Sequence, residues 1–206
     1  RVSRGLGDVY KRQVYLTQKS VTEKQAHIAV TVKLSNAATT KQVNVKVSVK
    51  DHDKTIQEIK RHVTLNAHSE GETIIPFTIQ NPRLWNGRED PFMYRAEISL
   101  WENDKLLDKV IQPLGIRYYR VDPDNGFFLN GKHLPLYGVC RHQDRAEIGN
   151  ALRSMHHEED TELMLEMGVN AVRLAHYQQA EYMYDLMDQS GIITSVSYTH
   201  LTLPTT

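Results

Sequence analysis

The chain has 206 residues, enough for one large or two modest domains, each with its own core. Its 25 basic and 25 acidic residues cancel, which removes any bulk electrostatic case for nucleic acid or an anionic membrane surface. No apolar run reaches the roughly 20 residues of a membrane helix, and a single cysteine, Cys140, excludes an internal disulfide and a thiolate metal cluster.

The opening stretch, RVSRGLGDVYKRQ, has neither a helical nor a strand period, and it is basic without the apolar segment of a secretory signal. Its junction with VYLTQK is abrupt. At the other end SVSYTHLTLPTT is equally detached from what precedes it. Both resemble translated sequencing-adapter sequence, so residues 1–13 and 195–206 are set aside as artefactual arms. Compartment stays open between cytoplasmic and periplasmic or secreted.

From residue 14 to 121 the pattern predicts an all-β domain. HIAVTVKLS alternates, with Ile28, Val30, Val32 and Leu34 on one face, and VNVKVSVK repeats this through Val43, Val45, Val47 and Val49. ETIIPFTI, MYRAEISLW and KLLDKVIQPLGIRYYRV follow, separated by the turn-forming clusters SNAATT, KDHDK, NAHSEG, QNPRLWNGREDP and END. TIQEIKRHVTL fits a helix or a strand, and its neighbours favour the strand. Six or seven strands at this spacing predict a two-sheet sandwich of immunoglobulin type without its disulfide. In the connector NPRLWNGREDPFMY, burial of Trp85 and Tyr94 contributes about 2–3 kcal/mol each. Trp85 is read as a plug at one end of the sandwich rather than as a sugar-stacking platform.

After residue 121 the character changes. Turn signals at Asp124-Asn125-Gly126 and Asn130-Gly131 around FFL predict a hairpin before the strand LYGVC. HEEDTELMLEMG sets Leu163, Met164 and Met167 at helical spacing, with acids in its first turn and Gly168 as its stop. NAVRLA reads as the next strand, QAEYMYDLMDQSG as a second helix ended by Gly191, and IIT as a third strand. This βαβαβ order, spanning 122–194, is that of a doubly wound sheet or a (β/α) barrel, whose ligands bind at the carboxyl ends of the strands.

Those ends carry the chemistry. Arg141, His142 and Asp144 close the first of these strands, and Arg173, His176 and Tyr177 close the second. In one parallel sheet the two sets face one cleft, where imidazoles can exchange hydrogen bonds with sugar hydroxyls and an arginine can hold a carboxylate ionised. Cys140, inside LYGVC, reads as a buried small hydrophobe rather than a reactive thiol. His156, His157, Glu158, Glu159 and Asp160 are consecutive at a helix start, where they fan out, and no HExxH or HxH spacing occurs. They read as a solvated helix N-terminus rather than a metal site. There is no GxSxG elbow and no phosphate-cradling glycine loop.

Taken together, NPRLW…DPFMY, LGIRYYRVD, GFFLNGKHLPLYGVCRHQD and EMGVNAVRLAHYQQAEYMYDLMDQSGIIT resemble glycoside hydrolase family 2, and within it the β-galactosidases. The resemblance covers nearly all of residues 14–194. It implies an immunoglobulin-like sandwich over 14–121 and the opening part of a TIM barrel, an incomplete (β/α)₈ unit, over 122–194. It also implies a retaining hydrolase of terminal β-D-galactosides, with β-glucuronides and β-mannosides as alternatives inside the family. Retention uses two glutamates ~5–5.5 Å apart. In the family the acid/base follows an Asn at the end of barrel strand four and the nucleophile ends strand seven.

On that alignment both catalytic carboxylates lie beyond this chain. It reads as an internal fragment, inactive alone, and Glu147, Glu158 and Glu181 have no preceding Asn to recommend them. The resemblance assigns His142 and His176 to glycone contacts and Arg173 to support of the nucleophile's charge, with Arg141 as barrel packing. HYQQ stands where HYP is more usual, which predicts a looser turn after His176. No cofactor is expected in this chain, while Mg or Na ions in the parent are allowed at sites it does not cover. The expected partner is the sugar substrate, with neither nucleic acid nor membrane, and a homo-oligomeric parent is compatible. The rival from another class is a non-catalytic carbohydrate-binding or adhesion sandwich. A metal-dependent barrel hydrolase is weaker still.

Overall fold

The structure, a computed structural model, describes residues 14–196; the expected arm at 1–13 and all but the first two residues of the expected tail at 195–206 lie outside the described residues. The chain divides into two units. Of the described residues, the first holds 14–83 together with Met93–Tyr118, and the second holds Leu84–Phe92 and 119–196.

The first unit is a β-sandwich of seven strands: β1 (Val14–Val21), β2 (Gln25–Asn36), β3 (Lys41–Asp51), β4 (Lys54–Leu65), β5 (Ser69–Gln80), β6 (Tyr94–Glu102) and β7 (Lys105–Leu114). They form two antiparallel sheets, ordered β1-β2-β5 and β4-β3-β6-β7. The alternation in the sequence places the core. Ile28, Val30, Val32 and Leu34 are buried on β2, as are Val43, Val45, Val47 and Val49 on β3. Cross-strand partners continue the layers, with Val30 opposite Ile75 and Val47 opposite Ile98. The segment 54–65, ambiguous in sequence, is a strand paired along its length with β3. Its lysines and β-branched residues suit one half-exposed sheet face better than a helix stripe.

The solvent face of the four-stranded sheet carries one buried acid. Glu97 is 8% exposed and its carboxylate lies 2.9 Å from Lys109, 3.0 Å from Lys50 and 3.1 Å from Arg95. Hydrogen bonding from Lys109 holds the carboxyl below its ordinary range, with Lys50 adding to it against the opposing cost of burial.

The second unit starts with a small antiparallel sheet, ordered β10-β9-β8, of β8 (Tyr119–Asp122), β9 (Gly126–Leu129) and β10 (Lys132–His133). The run expected as one strand to residue 121 thus breaks after Leu114, and its two halves belong to different units. The Asp122 carboxylate accepts the backbone N–H groups of Asp124 and Asn125, the aspartate turn that the DPDNG sequence predicts.

Then comes the parallel layer: β11 (Gly138–His142), helix α1 (Ser154–Glu166), β12 (Ala171–Ala175), helix α2 (Glu181–Ser190) and β13 (Ile193–Val196), with strand order β11-β12-β13. The third strand, expected over IIT, runs on through Ser195 and Val196, which pair with Arg173 and Leu174. Gly138 is required where β11 meets β12, because a Cβ there would sit 2.8 Å from the Ala171 carbonyl oxygen. Beneath the sheet, Met164, Val169, Val172, Leu174, Met183, Met187 and Ile192 form the core between strands and helices. The face of α1 differs from expectation. Leu163 and Met167 are exposed, the buried positions are His157, Thr161 and Met164, and no acid lies in its first turn, because the helix starts at Ser154.

The connector also differs. Trp85, read from the sequence as a plug of the sandwich, is 2% exposed and belongs to the second unit. Its indole N–H donates to the Asp188 carbonyl at 2.7 Å, and Arg88 donates to the Ser190 carbonyl at 3.0 Å. The last carbonyls of a helix have no partner within it, so an N–H donor and a cation here supply the missing bonds. Asn130 fixes the connector by donating to the Trp85 carbonyl at 2.9 Å.

Candidate functional site

The period of two along β11 and β12 sorts the candidate residues onto two faces. Cys140 lies beside Arg173 in the ladder, Arg141 beside Leu174, and His142 beside Ala175. Leu174 is wholly buried among the helices, so Arg141 shares the helix-facing side. Cys140, His142 and Arg173 occupy the opposite face, exposed.

At the carboxyl end of that face the rings of His142 and His176 meet edge to face, with centroids 5.2 Å apart and planes inclined at 72°. The Ala175–His176 peptide is cis. Arg173 donates from its guanidinium toward the Cys140 sulfur at 3.9 Å. Cys140 is therefore not the buried hydrophobe that its apolar neighbours suggest. It points to the same side as the arginine, and alternation rather than local hydrophobicity decided it. The Tyr177 hydroxyl donates to the Gln143 carbonyl at 3.3 Å and lies 3.4 Å from Asn150 Oδ1. Asp144 is exposed in the loop after β11. The structure thus brings His142, His176 and Arg173 to one side of the sheet, with Tyr177 and Asp144 on the loops above them.

Arg141 is elsewhere. It is 7% exposed, and its Nε and Nη2 both donate to Asp160 Oδ2, at 2.9 and 2.6 Å. Nη1 donates to the Gln179 side-chain oxygen, and Nη2 lies 3.0 Å from His157 Nδ1. A guanidinium has only donors, so His157 Nδ1 accepts and the imidazole proton resides on Nε2. Burial, followed by the charge of Arg141, pushes the His157 pKa down, while Asp160 opposes the shift. His157 is 3% exposed, so the expectation of a wholly solvated helix start fails there. Its neighbours diverge: His156 caps the Arg153 N–H, Glu158 accepts from Tyr182 and Glu159 pairs with Arg145. Among the described residues no three of His, Cys, Asp and Glu converge to hold a metal ion.

The turn after His176, expected to be looser, is tied to β11 through Gln179. Gln179 is 5% exposed; its side chain accepts from Arg141 and donates to the Arg141 carbonyl at 3.2 Å. Nothing local marked it, since a glutamine in HYQQ reads as loop polarity until its partner 38 residues earlier is seen.

Comparison with known proteins decides the family. Residues 9–117 match the model for glycosyl hydrolases family 2, and residues 121–197 match its TIM barrel domain. The chain belongs to glycoside hydrolase family 2. Its architecture is accordingly an immunoglobulin-like sandwich followed by the opening of a TIM barrel.

A β-glucuronidase of Bacteroides fragilis is 59% identical over 181 residues, 88% of this chain and 26% of that protein. A β-galactosidase of Bacteroides ovatus is 30% identical over 182 residues, 87% of this chain and 21% of that one. The crystal structure of a Bacteroides uniformis β-glucuronidase superposes with a TM-score of 0.85 at 32% identity, covering 88% of this chain and 22% of the solved one. The chain therefore spans about a quarter of the length of the relatives it matches.

Proposed function

We propose that the chain contributes one wall of the sugar site in a retaining family 2 glycosidase that hydrolyses terminal β-D-glycosides. The observation that carries this reading is the edge-to-face pair of His142 and His176 at adjacent carboxyl strand ends, with Arg173 on the same face. Imidazole rings in this arrangement present their ring nitrogens for hydrogen bonds with vicinal hydroxyls. A guanidinium on the same face lowers the pKa of a carboxylate brought near it and keeps a nucleophile ionised. All three side chains are exposed, and a binding module built on the sandwich leaves their convergence unexplained.

For the glycone we put β-glucuronides first, supported by the 59% identity to the B. fragilis β-glucuronidase. β-Galactosides, favoured by the RHQDR and VRLAHY motifs, are the second reading, supported by the B. ovatus relative. The test is a chimera in which residues 14–196 replace the matching segment of the B. fragilis β-glucuronidase, assayed on chromogenic β-glucuronide and β-galactoside. Turnover of either substrate by the folded chimera is expected. A folded chimera inert on both overturns the proposal, and the ratio of the two rates decides the glycone.

A further inference from the structure

We propose that Gln143 and Gln179 form a reciprocal clasp that positions the His142–His176 pair, a role that rests on the reading of that pair as the sugar-contacting site. The β11–β12 ladder ends at His142 opposite Ala175, so His176 lies one residue beyond the last backbone pairing. Both histidines are exposed, and packing does not hold their rings. Something beyond the sheet must fix the backbone at His176 against that at His142.

The loops after the two strands supply it. Gln179, in the loop after β12, donates its side-chain N–H to the Arg141 carbonyl at 3.2 Å, immediately before His142. Gln143, immediately after His142, accepts the Ala180 backbone N–H on its Oε1 at 3.0 Å. Gln143 therefore holds the loop after β12, and Gln179 holds the backbone of β11 itself. The Tyr177 hydroxyl adds a third tie, donating to the Gln143 carbonyl at 3.3 Å. His142 is bracketed on both sides by these bonds, and His176 is followed at once by the residues that make them.

Burial gives the clasp its leverage. Gln179 is 5% exposed, and a buried amide keeps its partners because leaving them unmade is costly. Its backbone N–H also donates to the Tyr184 hydroxyl on α2 at 3.3 Å, which ties the clasp to the helix. Its side-chain oxygen accepts from Arg141, itself paired with Asp160 on α1. The spacing of the two rings is in this way referred to both helices.

The test uses the isotopically labelled 206-residue chain and the nuclear Overhauser cross-peak between the ring protons of His142 and His176. The wild-type chain is expected to show it. Gln143→Ala and Gln179→Ala are each expected to lose it while the cross-strand signals of Val139–Val172 and the α1 and α2 amides persist. Gln179→Glu keeps the acceptor for Arg141 but removes the donor, and it too is expected to lose the cross-peak. An unchanged cross-peak in folded Gln143→Ala and Gln179→Ala, or its absence from the wild type, overturns the clasp. Should Gln179→Ala unfold the unit, Gln143→Ala decides alone, since its side chain lies outside the buried Arg141 network. The readout contains no sugar, so an inert chimera would overturn the glycosidase reading and leave this result standing.

Discussion

The indole N–H of Trp85 donates to the carbonyl oxygen of Asp188 at 2.7 Å, joining residues 103 apart in sequence. The contact makes a connector that interrupts the sandwich strands into a cap on the last turn of α2. Close by, Gly191 ends the helix at φ +73°, so near to Gly87 that a Cβ on Gly191 would overlap the Gly87 carbonyl. Trp85→Ala should cost the second unit about 3–5 kcal/mol and Trp85→Phe, which keeps most of the apolar bulk, about 1–2 kcal/mol. Hydrogen exchange of the α2 amides reads the loss. Faster exchange confined to the sandwich, with α2 unaffected, would refute the capping role.

His157 should make the second unit sensitive to mild acid. Its folded pKa lies below the ordinary value of 6.5. As the pH falls below about 6.5 the unfolded chain takes up the proton first, so the folded state loses stability until its own lower pKa is reached. Protonation also forces a donor onto Nδ1, which now accepts from Arg141. Denaturation of α1 followed between pH 7 and pH 5 should show this dependence, and His157→Gln should flatten it. A slope unchanged in the variant would locate the effect elsewhere.

In the sandwich, Glu97 holds three cations on one sheet face. Glu97→Ala leaves Lys50, Arg95 and Lys109 facing one another, and should cost about 2 kcal/mol, less than a fully buried pair because the cations are partly exposed. The folded carboxyl sits below its ordinary 4.5, so its contribution is present above about pH 4.5 and is lost as the pH falls through the lower folded value. Glu97→Gln should remove that acid-side dependence from the urea midpoint of the sandwich. Identical pH profiles for wild type and Glu97→Gln would contradict it.

For catalysis, His142→Ala and His176→Ala in the active chimera should each lower kcat/KM by about 10²–10³-fold, the usual loss of one preorganised hydrogen-bonding group at a transition state. From its proposed role beside the nucleophile, Arg173→Ala should act mainly on kcat and move the acidic limb of the pH profile upward. The 206-residue chain alone should give only background on either chromogenic substrate. Turnover by the wild-type chain that vanishes in His176→Ala would show that it carries its own acids.

Much of this was legible in the residues. The β2 and β3 alternation predicts the sandwich core to the residue, and the RH and RLAHY endings mark the strands whose tips carry His142 and His176. The motifs also pointed to the family, although they leaned toward galactosides more than the comparison with the B. fragilis β-glucuronidase supports. Local patterning misled where a partner is distant. Cys140 lies in an apolar run yet is exposed, His157 lies among charges yet is buried, and the helical spacing of Leu163 and Met167 did not bury them.

What the sequence by itself determined is whatever depends on periodicity and on nearest neighbours: strand faces, aspartate and glycine turns, the βαβαβ order and the family. Only the tertiary structure decided which side of the parallel sheet each polar residue serves. It turned Arg141 to the helices and Arg173 to the opposite face, seated Trp85 on α2, and made Gln179 a buried tie instead of loop polarity. Those outcomes rest on hydrogen bonds between groups from 16 to 103 residues apart, formed because a buried donor or acceptor must find a partner wherever the fold provides one.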